Sequence, residues 1–343
     1  MGSFKPKVNS SVELEWKTNT GKNGTRNKGI RDGVIKVGGK EEKEDRISGL
    51  PDCLLLEILS LLPSTKDAII TGTLSTRWKH LWTSVPTLIF HYDEEKYQWS
   101  DFVSLVDKTL TQCRQLKLKK FEVIIDYCTQ FEPHINNWIH YAVRCNVAEL
   151  NLYICHITVG CKFFNSSSFT DPTIRDCILN PTEAISWKMI RSVNISKGKF
   201  DEDLIEKIFS GSPLLETLVL DKCYGYRRLD ITSKSVKNFV LSGKMYAKDK
   251  YAEDIDDVIE INAPHILSLT IKGRLWKLLL VNVASVVEAS LCYTNFGRWI
   301  PPKEIEEERL KGLILNLRHV KELKIEGFCS KVKFLLLSSL CLS

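Results

Sequence analysis

The sequence predicts an α/β protein in which a short, wholly helical segment precedes an irregular solenoid of strand-and-helix units. Three observations carry that expectation. Residues 45–90 hold apolar helical runs separated by helix stops. Residues 115–330 alternate short strand-like runs with helical stretches. Residues 1–44 have neither pattern. At 343 residues the chain suits two domains, or one elongated domain, better than one compact one. Hydrophobic residues at 43% and charged residues at 26% exclude wholesale disorder, a collagen-like rod and a polytopic membrane protein.

Residues 1–44 contain seven of the 18 glycines and few apolar side chains. They cannot bury enough surface to offset their ordering entropy, and so read as a flexible arm. The arm carries ten Lys/Arg against six Asp/Glu, while the other 299 residues carry 38 against 36. A nucleic-acid-binding domain carries its basic excess on its folded part. Here the excess sits on a tail, so nucleic acid is discounted as a partner. The longest apolar stretches, 278–287 and 334–342, fall short of the roughly 20 residues a spanning helix needs, which excludes a membrane partner. The N-terminus has no signal-peptide core, and the eleven cysteines include no C-x-x-C pair. They read as reduced and mostly buried, in a cytoplasmic or nuclear protein.

Within 45–90, Pro51 suits the first turn of a helix that runs through Asp52–Leu62 and stops at Pro63. Ser64 with Asp67 signals the cap of a second helix, and Gly72 its end. Ser75 caps a third, which carries Leu74, Trp78, Leu81 and Trp82 at helical spacing. In the first helix only Glu57 and Ser60 are polar between Cys53 and Leu62. Apolar side chains point nearly all round, so the helix needs cover on two sides. A segment this small cannot supply both covers. The second comes from elsewhere in the chain or from a partner protein.

In 115–330 strands are expected at 121–127, 149–154, 191–196, 215–220, 237–241, 267–272, 276–280 and 321–326, and helices at 133–144, 201–210 and 303–317. The leucine-rich-repeat template apolar-x-x-apolar-x-apolar starts at Leu118, Val147, Ile190, Leu215, Val236, Ile266, Leu275, Val286 and Val320. Chance alone gives about a dozen such matches, so the recurrence of strands carries more weight. The longer form ending in Cys occurs at Val147–Cys155 and Leu215–Cys223. Matched units lie 9 to 43 residues apart, which makes any solenoid irregular.

Chemistry is sparse. There is no nucleophile elbow, dinucleotide fingerprint or zinc-protease motif, so no catalytic residue, cofactor or metal is expected. His134, His140, Cys145, Cys155, His156 and Cys161 are too loosely spaced for a zinc site. The basic–apolar alternation over 114–120 reads as a lysine-protected strand edge.

The run Glu44-Asp45-Arg46-Ile47-Ser48-Gly49-Leu50-Pro51-Asp52-Cys53-Leu54-Leu55, with Ile58-Leu59 and Leu62-Pro63, resembles the first half of an F-box. Asp67-Ala68, Leu74 through Trp82 and Val85-Pro86 resemble its second half in order and spacing. With strands recurring behind it, the chain is similar to the plant F-box/leucine-rich-repeat proteins, many of which end in an FBD domain. Cys53 and Ile70 stand where that family has polar residues.

The resemblance implies a three-helix F-box at 45–90, after the basic arm at 1–44. A helical connector at 91–114 and a leucine-rich-repeat solenoid at 115–330 would follow. The apolar tail 331–343 would be the remnant of a shortened C-terminal domain. It further implies a substrate-receptor subunit of an SCF-type ubiquitin ligase, non-catalytic itself. A Skp-type adaptor, and through it a cullin–RING ligase, would be held by Leu50, Pro51, Leu54, Leu55, Ile58, Leu59, Leu62 and Pro63. Leu74, Trp78, Leu81 and Trp82 would be the segment's own core or its joint to the repeats. The repeats would bind a target protein. Two other readings stay open: a binding protein outside any ligase, acting as a decoy, and an RNA-binding solenoid that uses the basic arm.

Overall fold

The computed structural model describes residues 47, 49–96, 98–114, 117–125, 132–154, 158–243, 258–273, 277–293 and 303–327. The chain divides into two units, Met1–Gly49 and Leu50–Ser343, and every element below belongs to the second. The arm expected over 1–44 and the tail expected over 331–343 fall outside the described residues.

Three short helices open the fold: α1 (Asp52–Ser60), α2 (Thr65–Ile70) and α3 (Trp78–Leu81). Ser64 caps α2 in both directions. Its hydroxyl accepts the Asp67 N–H at 3.2 Å and donates to the Asp67 carboxylate at 2.7 Å. Gly72 lies in the 3-10 turn Thr71–Thr73, where a Cβ would come within 3.2 Å of the Lys79 Cα. The chain folds back closely there, which ends α2 where the sequence predicts.

The strands follow in chain order as β1 (Thr87–His91), β2 (Lys120–Ile125), β3 (Glu149–Ile154), β4 (Thr173–Arg175), β5 (Ser192–Ser196), β6 (Thr217–Asp221) and β7 (Arg228–Asp230). Then come β8 (Asn238–Ser242), β9 (Val258–Asn262), β10 (Ser268–Gly273), β11 (Lys277–Val281), β12 (Glu288–Tyr293) and β13 (Glu322–Glu326). Ten of them form one sheet in the order β1-β2-β3-β4-β5-β6-β8-β10-β12-β13, and β11-β9-β7 form another. Every pairing is parallel. Parallel neighbours must be joined by crossovers, and these build a second layer. It runs through α4 (Trp99–Gln112), α5 (Glu132–Arg144), α6 (Cys161–Phe164) and α7 (Glu202–Gly211), then the small sheet, then α8 (Lys303–Asn316). The small sheet is flanked by α7 against β7 and by α8 against β11.

Register turns the weak template into continuous ladders. One buried row runs Leu88, Phe121, Leu150; after β4 it resumes as Val193, Leu218, Phe239, Leu269, Ala289. A second runs unbroken through Phe90, Val123, Leu152, Ile174, Ile195, Leu220, Leu241, Ile271 and Leu291. Each full burial contributes about 1.5–3 kcal/mol before entropy is charged against it. The turn residue leading each strand is Val85, Leu118, Val147, Phe169, Ile190, Leu215, Val236, Ile266, Val286 or Val320, at intervals of 20 to 34 residues.

The wider 9-to-43 range has two sources. The match at Leu275 runs onto β11 of the small sheet, not onto the large one. The unit led by Phe169 escapes the template because Pro172 fills its second slot. Phe suits the first slot because α6 is only one turn long, and the space beside it is filled by Phe163, Phe164 and Trp187.

Other expectations need correction. The sheet begins at Thr87, so the boundary expected at 90 cuts through β1, and the connector expected over 91–114 is α4, whose Phe102, Val103, Val106 and Leu110 join the main core. Strand β2 is internal, paired on both sides, so the lysines before it do not guard an edge. Strands β1, β4, β7, β9 and β12 have no counterpart among the expected strands; β4 and β7 are three residues long, β9 follows a polar stretch, and β12 is marked only by the template match at Val286.

The cysteine ending two strand units has a structural role. Cys223 Sγ donates to the Ile195 carbonyl of the neighbouring strand at 3.2 Å, and Cys177 Sγ does the same to Ile154 at 3.5 Å. Burial pushes the Cys223 thiol up to about 12, so it stays a neutral donor. Cys155 falls outside the described residues. Replacing Cys223→Ala removes this second bond to the Ile195 carbonyl and leaves a small void. It should lower stability by about 1–2 kcal/mol in urea unfolding, against a few tenths for Cys292→Ala on the outward face.

Glu122 supplies a second check. Burial raises its carboxyl pKa, but hydrogen bonds from Lys120, Asn151 and His91 outweigh burial and hold it below the usual range. A group depressed on folding stabilises above its unfolded value and loses that contribution as pH falls through its folded value. The acid limb of stability should therefore be shallower in Glu122→Gln than in the parent, measured by urea midpoints between about pH 3 and 6.

Candidate partner-binding surfaces

Helix α1 carries two apolar stripes one residue apart, 54/58/61 and 55/59/62, each at helical i, i+4, i+7 spacing. They lie about 100° apart around the axis, and only one faces inward. Leu55 and Leu59 are 0% and 3% exposed, packed in a small core with Ala68, Trp78, Leu81, Trp82 and Val85. Leu50, Leu56 and Leu62 pack partly against it. Leu54 and Ile58 are each 43% exposed, and Leu61 is 83% exposed. Pro51 and Pro63 are exposed at either end.

Leu55 and Leu59 therefore leave the expected contact set: the segment's own core covers them. Leu74, expected in that core or joint, is 69% exposed, because it follows the 3-10 turn and precedes α3. Trp78, Leu81 and Trp82 are buried. Of fourteen large apolar side chains exposed among the described residues, five lie between 54 and 74, the highest concentration along the described sequence.

Two side chains fix the stripe in place, and composition singles out neither. Arg77 donates from Nε to Asp52 Oδ1 at 2.9 Å and from Nη2 to the Leu50 carbonyl at 2.6 Å, clamping the start of α1 to the approach of α3. Thr65, buried at the start of α2, accepts the Ile89 N–H at 2.7 Å and ties α2 to β1. The Arg114 N–H donates to the Thr83 carbonyl at 2.9 Å, a second tie. The helices are thus built onto the first strand of the sheet. A groove of about 440 Å³ opens at that joint, lined among others by Asp67, Ile70, Ile89, His91 and Lys96.

The outward face of the large sheet is the second surface. Alternation places Ser192, Asn194, Thr217, Val219, Asn238 and Val240 there at its centre, all half-buried except the more exposed Asn238. Toward β1 the face is charged, with Glu122 taking Lys120 at 2.8 Å, Asn151 at 3.0 Å and His91 at 3.3 Å. No group of three metal-ligating side chains occurs among the described residues. His156 and Cys155 fall outside them, and Cys145 is buried at the end of α5. No helix among the described residues is long and apolar enough to cross a membrane.

The two stripes make opposite predictions for stability. Leu55→Ala or Leu59→Ala should each cost about 2–4 kcal/mol, whereas Leu54→Ala or Leu61→Ala should cost less than about 1 kcal/mol. Urea denaturation of the four variants compares them directly.

Comparison with known proteins agrees with the recurring strands. Residues 109–301 match the family model described as "At1g61320/AtMIF1, LRR domain". That span runs from the end of α4 past β12. The Arabidopsis thaliana "F-box protein At5g03100" is 32% identical over 305 residues, covering 87% of this chain and 93% of the relative. "F-box/LRR-repeat protein 25" of the same plant is 32% identical over 234 residues, 66% of this chain and 86% of the relative. "F-box/LRR-repeat protein At3g03360" is 29% identical over 284 residues, and there the chain spans 53% of the relative's length. None of these names an enzyme family. A ladder of short parallel strands behind a helical segment, matched over most of its length by these relatives, places the chain in the plant F-box/LRR-repeat family.

Proposed function

We propose that the chain is a substrate-receptor subunit of an SCF-type cullin–RING ubiquitin ligase. In this reading residues 45–90 act as the F-box and grip a Skp-type adaptor, while the repeats hold a target protein. One observation carries the reading: α1 shows Leu54, Ile58 and Leu61 to solvent from a helix whose other stripe already fills a core. Covering those three would contribute on the order of 1–2 kcal/mol each, which a monomer forgoes.

Leu50, Pro51, Leu62 and Pro63 complete the contact at the helix ends. The chain performs no chemistry. Ubiquitin transfer is accelerated because the target's lysines are held near the charged conjugating enzyme, at high effective concentration. Such a protein works in the cytoplasm or nucleus, where adaptor and ligase operate.

The test is adaptor capture by the full chain. Leu54→Asp combined with Ile58→Asp places two carboxylates on the outer stripe and should abolish capture, with the circular dichroism spectrum and melting temperature retained. Capture at the parent's level would refute the docking model. Recovery of adaptor without cullin from cells would instead favour a decoy.

A further inference from the structure

A row of left-handed residues closes the strands at the centre of the large sheet. Directly after β4, β5, β6 and β8 stand Asp176, Lys197, Lys222 and Gly243, with φ of 60°, 53°, 52° and 58°. Their N–H groups continue the ladder one rung further, to the carbonyls of Ser196, Asp221, Ser242 and Lys272 in turn. The same slot holds Gly273 at the end of β10 and Gly327 after β13, both at positive φ. Glycine takes this backbone freely, while any residue with a Cβ is strained there. Three repeats use glycine, and two adjacent repeats use lysine. Backbone geometry alone does not explain the lysines.

The surrounding charge suggests what does. Arg175 ends β4 and Lys272 lies near the end of β10. With Lys197 after β5 and Lys222 after β6 they place four cations along the C-terminal rim of β4 to β10, where strands lie about 4.8 Å apart and β8 contributes none. Like charges side by side on a sheet are unfavourable. Asp176 offsets part of this, taking Lys197 Nζ at 3.1 Å and Arg175 Nε at 3.6 Å. Lys222 and Lys272 are exposed. The Lys222 stem lies over Gly243, where a Cβ would come within 2.8 Å of Lys222 Cγ. The missing side chain of one repeat thus makes room for the lysine of the next.

We propose that this rim is where the repeats grip an acidic or phosphorylated peptide segment of the target. The proposal rests on the reading that the repeats hold a target protein, and it specifies the chemistry of the segment they hold. An anionic peptide would relieve the repulsion among the cations and match their spacing with carboxylates or a phosphate. Nucleic acid fits less well. Tyr153 is the single aromatic side chain on the outward face of β3 to β10.

Fluorescence anisotropy on the full chain tests this, with a labelled oligoglutamate peptide, the same peptide bearing one phosphoserine, and labelled oligouridine. The glutamate peptide should bind, the phosphoserine form more tightly, and both less as salt rises. Lys197→Gly with Lys222→Gly should weaken peptide binding about tenfold while leaving the melting temperature unchanged or raised. Lys197→Arg with Lys222→Arg should retain binding, as should the distant control Lys188→Gln with Lys234→Gln. Absent peptide binding, a double-glycine variant that binds like the parent, or tighter binding of oligouridine would each overturn the proposal. Adaptor capture by the same preparations separates the two ideas. Capture without peptide binding sinks the rim alone, and rim-dependent peptide binding without capture sinks the receptor reading alone.

Discussion

A helix with apolar side chains on nearly every face can bury only those its neighbours can reach. Between Pro51 and Val85 the neighbours of α1 are two short helices and two 3-10 turns. They reach Leu55 and Leu59 and no further. Leu54, Ile58 and Leu61 stay outside because nothing else in the segment is long enough to wrap the helix. Arg77 and Thr65 hold α1 and α2 against the rest, so the helix cannot roll to hide the outer stripe without breaking those ties. The outer stripe and the core that leaves it bare follow from the same shortage of material.

The sheet obeys a comparable constraint. Parallel strands leave no hairpins, so each connection must return across the buried face and fill it. That requirement is met by helices early in the chain and by three short strands in its middle. The substitution is tolerated because the ladders Leu88 to Ala289 and Phe90 to Leu291 present the same apolar surface throughout. With the inward rows fixed, the outward rows and the rim are fixed too. The lysines after β5 and β6 therefore occupy defined places on a rigid edge, not a mobile loop.

Much of this is legible in the amino-acid sequence alone. The Ser64 cap, the break at Gly72, the helices α5, α7 and α8 and eight of the nine template positions fall where the sequence places them. These signals are local: a cap, a stop or a run of alternating side chains. The features that sequence does not reveal are non-local. Which stripe of α1 turns inward depends on α3 and Trp82, far along the chain. Strand β4 lacks a local signature because only three residues pair and its support is the aromatic cluster around Trp187. The position of β11 in the second sheet cannot be read from Leu278 and Leu280, whose pattern is indistinguishable from that of a strand in the first.

The central claim concerns the division of labour on α1, and side-chain footprinting by hydroxyl radicals reads it residue by residue. In the free chain Leu54, Ile58 and Leu61 should be oxidised readily while Leu55 and Leu59 resist. On adding a Skp-type adaptor the first three should become protected, with Val219 and Val240 on the sheet face unchanged. If those three residues are already protected in the free chain, or remain reactive in the adaptor's presence, the account is contradicted.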